Sequence, residues 1–170
     1  MQARAVFIGS PGQYRGSFGS YFKPKGASVA TRNGSAEWKG DLKAGSGTVT
    51  VGEGVFEGQY SFSSRFEDGE GTNPEELIAA AHASCFAMAL SLILSEEGHP
   101  PDSVRARAEV QLRIVDGLPT LARIDLRVEG SVPSIDADAF RAYAEKAKAG
   151  CPVSRALAGV PEIELEASLA

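Results

Sequence analysis

The chain has 170 residues, 43% of them apolar and 23% charged, with a net charge of −5. That length suits one domain, or one domain with an appendage, and is enough to bury a real core. The balance is that of an ordinary soluble globular protein, and no unbroken apolar run reaches the roughly 18 residues of a membrane span, so no membrane partner is expected.

The N-terminus "MQARAVFIGSPGQYRG" has no continuous apolar segment of the secretory-signal kind. Two cysteines without export point to a cytoplasmic protein, where a permanent structural disulfide is not expected. A cysteine pair there is more often catalytic, redox-sensing or incidental. Residues 1–34 carry Arg4, Arg15, Lys23, Lys25 and Arg32 and no acid, so they are +5 and leave −10 for the rest. Such an arm can bind nucleic acid or lie on its own acidic body. Without a dense Lys/Arg run the second is expected, and nucleic acid is not expected as a partner. The arm is rich in Gly and Ser, with Phe7, Tyr14, Phe18, Tyr21 and Phe22 scattered through it and no helical periodicity. It reads as a separate basic appendage to a domain over 35–170.

From Ser35 onward, "SAEWKGDL", "GTVTVG" and "GQYSFSSRF" are short strand candidates between Gly-rich turns. Tyr60, Phe62 and Phe66 share one parity, which gives the third strand an apolar face and turns Arg65 to the opposite one. Next comes a helix from 74 to about 97. Asn73 is its N-cap, Pro74 its first residue, Glu75 and Glu76 complement the dipole, and Gly98 with Pro100-Pro101 ends it. Glu76 suggests a variant capping box. From Leu77 to Leu94 the helix is apolar almost all round, which predicts burial on most faces. "VRARAEVQLRIV" and "ARIDLRVEG" alternate strictly and meet at an Asp116-Gly117 turn. "SIDADAFRAYAEKAKAG" is a second long helix, capped by Ser134 and stopped by Gly150. "PVSRALAG" is a short third helix, from Pro152 to Gly159. The final strand, "PEIELEAS", places Glu162, Glu164 and Glu166 on one face and should lie beside a basic strand. The order of strands, helix, strands, helices and strand predicts an α+β fold.

Two thiols carry the candidate chemistry. Cys85 lies within the apolar helix, where free cysteine usually packs as a small hydrophobe. Cys151 sits between Gly150 and Pro152 at an N-cap-like position. Helix-end physics makes it the more reactive sulfur, unless the tripeptide is only a tight junction. Arg65 could stabilise a thiolate, or be simply solvated. Glu75 could orient Arg65 bidentately, or be only a first-turn acid. His82 lies one turn before Cys85, but two Cys and two His without paired spacing do not make a metal site. No cofactor motif is present.

"TNPEELIAAAHASCFAMALSL" and "KAKAGCPVSRAL", with the preceding "SRFEDGEG", resemble the OsmC/Ohr family of thiol-dependent hydroperoxide reductases from about Gly34 to the C-terminus. The arginine in "SSRF" is similar to that of the OsmC branch. The resemblance implies antiparallel sheets wrapped around two central helices in an intertwined homodimer, with two active sites at the subunit interface. It implies Cys85 as peroxidatic and Cys151 as resolving cysteine, Arg65 holding the thiolate and Glu75 positioning Arg65. It implies an organic hydroperoxide or hydrogen peroxide as substrate, no cofactor, and re-reduction by an external dithiol from a lipoylated or thioredoxin-like protein. A disulfide redox sensor without significant turnover is the alternative. Ten residues of helix separate Glu75 from Cys85 by about 15 Å, so Glu75 must act through Arg65 or from a second chain.

Overall fold

The computed structural model describes residues 31–170, so the expected basic arm of residues 1–34 lies, but for its last four residues, outside the described part. The elements run β1 (Gly34–Lys39), β2 (Ser46–Val51), β3 (Phe56–Ser61), α1 (Phe62–Phe66), α2 (Pro74–Glu96), β4 (Ser103–Val115), β5 (Leu118–Ser131), α3 (Ala137–Gly150), α4 (Pro152–Ala156) and β6 (Glu162–Leu169). This is the α+β class expected.

Two three-stranded sheets result. β1, β2 and β3 form an antiparallel meander. In the second sheet β4 and β5 are antiparallel, but β6 lies parallel to β5. That corrects the expectation of wholly antiparallel sheets. The two helices between β5 and β6 form a crossover, which brings a strand back in the same direction. The acidic strand does pair with a basic one. Arg123 faces Glu162 and Arg127 faces Glu166 in register, with ion pairs of 2.9 and 3.4 Å.

The core lies between that sheet and the two long helices. Its buried side chains are Ile124, Leu126 and Val128 of β5, Phe86, Leu90, Ile93 and Leu94 of α2, and Phe140, Ala144 and Ala147 of α3. Gly130 lets β5 come close to α3, because a Cβ there would overlap the Phe140 ring. α2 starts as the sequence predicts, with Asn73 Oδ1 accepting from the Glu76 N–H at 2.9 Å, and Gly98 follows its end with φ of 84°. The Glu76 carboxylate accepts from the Thr72 hydroxyl instead of closing a capping box.

Four expectations change. The third strand stops at Ser61, because Ser61 and Ser64 form a reciprocal capping box that starts α1. Phe62 and Phe66, four apart, then stack with ring centroids 4.9 Å apart. Their even parity was equally a helical spacing, so Arg65 projects from a helix and not a strand. α3 is capped by Asp136, whose carboxylate accepts from Ala139 N–H, while Ser134 sits in a turn at φ of 76°. α4 ends at Ala156. Finally, α2 is long enough, and over 18 residues apolar enough (mean hydropathy 2.1), to cross a bilayer. A search for an unbroken run misses it because His82, Ser84 and Ser91 interrupt the window. Here α2 packs against β4, α3 and α4.

Within one chain α2 is buried on one side only. Phe86, Ala89, Leu90 and Ile93 are enclosed, whereas Ala80, Ala81, Ser84 and Met88 face outward, Met88 at 75% exposure.

Candidate active site

Cys85 occupies the seam between the two sides of α2. At 100° per residue, buried His82 and Ala89 flank it on one side and exposed Ala81 and Met88 on the other. Its thiol is accordingly half-buried. Cys151 is fully buried at the junction of α3 and α4. The Cys151 N–H donates to Ala147 O at 2.8 Å, closing α3. Pro152 has no N–H to donate, so the first free amide of α4 belongs to Val153.

The Cys151 thiol is close enough to Cys85 to act on its titration. Burial pushes the Cys85 thiol up from its ordinary pKa, the Val153 N–H directed at it pulls back down, and contact with Cys151 pushes up again. None of these groups is a cation. The helix-end effect assigned to Cys151 from sequence thus falls on Cys85. Cys151 caps α4 with its backbone and makes no side-chain cap, while the amide one residue past Pro152 addresses the other thiol.

Arg65 and Glu75 form the second half of the site. Arg65 Nη2 donates to Glu75 Oε1 at 2.7 Å and Arg65 Nε to Oε2 at 3.1 Å, the bidentate pair expected. The Arg65 guanidinium also lies over the Phe66 ring at 5.1 Å. The pair is partly sheltered, with side-chain exposures of 34% and 12%. It borders an open cleft of about 470 Å³ against β4, lined also by Asn73, Ala79, Arg107 and Leu112. The four predicted residues therefore come together two by two, Cys85 with Cys151 and Arg65 with Glu75. One chain does not join the two pairs.

Sequence reading saw His82 only as a failed metal ligand and did not single out Val153 or Ser154. His82 is fully buried, and its Nε2 hydrogen-bonds Ser154 Oγ at 2.8 Å. The partners are 72 positions apart, and no local pattern signals such a contact. Among the described residues no cluster of three or more His, Cys, Asp or Glu could hold a metal.

A three-stranded sheet packed with an apolar, thiol-bearing helix, together with a second three-stranded sheet, defines a known kind of α+β protein. An organic hydroperoxide resistance protein OsmC from Legionella pneumophila superposes with a TM-score of 0.65 at 22% identity, over 85% of this chain and 99% of that one. One from Vibrio cholerae, with captopril bound in one of the active sites, superposes with a TM-score of 0.64 at 21% identity, over 86% and 95%. At these identities the likeness shows the fold. The sequence goes further. The family described as OsmC-like protein matches residues 67–166. The Escherichia coli K12 protein named Peroxiredoxin OsmC is 52% identical over 127 residues, 74% of this chain and 89% of its own length. The chain belongs to the OsmC family.

Proposed function

We propose that this protein is a thiol peroxidase that reduces organic hydroperoxides and hydrogen peroxide through a Cys85 sulfenic acid and a Cys85–Cys151 disulfide. The observation that carries the reading is the thiol pair, with one sulfur at an accessible seam, its partner buried within reach, and a backbone N–H directed at the accessible one. Membership of the OsmC family and the 52% identity to a protein named a peroxiredoxin support it. Cys85 thiolate attacks the outer peroxide oxygen, forming the S–O bond as the O–O bond breaks, and the alkoxide or hydroxide leaves with a proton. The Cys151 sulfur then displaces hydroxide from the sulfenic acid, giving the disulfide and water. An external dithiol, on a lipoylated or thioredoxin-like protein, reopens it by exchange.

A half-buried thiolate needs a cation, and Arg65 is held about 15 Å up the helix by Glu75. A second copy of the chain supplies the missing pair. The outward face of α2 (Ala80, Ala81, Ser84, Met88) is the surface on which that copy docks, bringing its own Arg65–Glu75 pair to this Cys85. Residues 35–170 make the peroxidase domain, and the protein works in the cytoplasm.

The test is peroxide consumption with dihydrolipoamide as dithiol. Catalytic turnover is expected, with complete loss in Cys85→Ser. Cys151→Ser should complete one turnover and leave a sulfenic acid that a 1,3-dione traps. A stoichiometric burst that never recycles would instead favour a disulfide sensor, and loss of the first turnover in Cys151→Ser would reverse the roles of the two thiols.

A further inference from the structure

His82 is a polar side chain in an otherwise apolar helix, with zero exposure. Its Nε2 is bonded to Ser154, but its Nδ1 is buried without a partner. A buried unpaired polar atom costs on the order of 1–3 kcal/mol, so an apolar residue would suit the packing better. What His82 provides is a single bond across the site. Ser154 lies three residues after Cys151 and next to Val153, on a helix of only five residues. α4 is attached at its start to the end of α3 by the Cys151 N–H bond to Ala147. His82···Ser154 is the side-chain bond that fixes α4 to the helix bearing Cys85. Burial, and after it the charge of Lys148, hold the His82 pKa below its ordinary value. The ring is therefore neutral, with one nitrogen donating and one accepting.

We propose that His82 is a positioning residue which, through Ser154, holds α4 against α2, keeping the Cys151 thiol and the Val153 N–H on Cys85, and so sets the rate at which the disulfide closes. This rests on the thiol-peroxidase reading, but closure can be measured without peroxide. A mixed disulfide made at Cys85 with oxidised glutathione is displaced by Cys151, which forms the Cys85–Cys151 bond, breaks the Cys85–glutathione bond and releases reduced glutathione. The rate of that release reads positioning alone. His82→Leu and Ser154→Ala should each slow it by about tenfold, the cost of one buried hydrogen bond of roughly 1.4 kcal/mol. The double variant should be no slower than either, since both remove the same bond. His82→Gln, which returns an amide group near the Nε2 position, should recover most of the rate. With peroxide, the same variants should slow the first attack as well, because the Val153 N–H no longer addresses Cys85, and the sulfenic acid that forms should persist long enough to be trapped. Parent-rate glutathione release in both His82→Leu and Ser154→Ala overturns the proposal, as does a slowing that His82→Gln does not relieve. A parent that closes as expected but never turns over peroxide would sink the peroxidase reading and leave the role of His82 intact.

Discussion

Replacing Arg65 with Met discriminates between a site completed by a second chain and one completed within a single chain. In one chain the guanidinium is tied to Glu75, about 15 Å from Cys85 along α2. At that distance a unit charge stabilises a thiolate by about 0.3 kcal/mol at the dielectric of water and about 1 kcal/mol at an effective value near 20, and salt screens it further. Losing it would lower the thiolate-dependent rate by roughly two- to sixfold. A guanidinium delivered by a second copy to about 4 Å is worth about 4 kcal/mol at the same effective dielectric, or several hundredfold in rate. The assay is alkylation of Cys85 by iodoacetamide at pH 7 in a Cys151→Ser background, with circular dichroism to verify folding. Arg65→Met should lower the rate by two to three orders of magnitude. Arg65→Lys should fall between, because it keeps the charge but loses the fork that grips Glu75. A loss of sixfold or less in Arg65→Met would refute cross-chain delivery.

On the proposed docking of a second copy at the outward face of α2, Met88→Glu should split the pair. It removes about 1.5–3 kcal/mol of apolar burial per copy, felt twice at a twofold interface, so the dissociation constant should rise by at least about a hundredfold in light scattering, with peroxide consumption lost in parallel. A fully active verified monomer would remove the second copy from the mechanism. Gly130→Ala forces a methyl into the Phe140 ring and should cost about 1–3 kcal/mol, read as a fall of several degrees in Tm. An unchanged Tm would mean that Phe140 gives way without strain. His82 is held neutral in the fold, while the unfolded chain protonates it near its ordinary value of about 6.5. Its contribution is thus complete above that pH and declines as pH falls below it, at up to about 1.4 kcal/mol per unit. Urea midpoints from pH 7.5 to 5 should fall for the parent and fall less for His82→Gln, whereas identical slopes would deny the assignment.

Local chemistry made much of the fold legible. Asn73-Pro74, the alternation in β4 and β5 and the acidic face of β6 are each decided by neighbours in sequence or by a simple charge match. The switch at Ser61 was not, because residues two and four apart are in register for both a strand and a helix over so short a stretch, and a two-serine capping box decides it. The parallel placement of β6 depends on how α3 and α4 carry the chain across the sheet, a tertiary matter. At the site, the residues alone left Arg65 solvated or thiolate-holding and Glu75 a first-turn acid or its partner, and only the family resemblance joined them into the pair that the structure forms. The Val153 amide was not legible, since a backbone group has no letter in the sequence, and nor was His82···Ser154, which joins two distant helices.

The Val153 amide also changes what variation at this site can mean. Any residue but proline at position 153 presents the same N–H to Cys85, so that part of the thiol's environment is inherited through the path of the chain and is invisible to a scan of side chains. It fails only when α4 is displaced. Substitutions that look remote, in the short run from Ala147 to Gly150, can therefore disturb reactivity at a cysteine more than 60 positions earlier, while changes in the Val153 side chain itself keep the N–H in place.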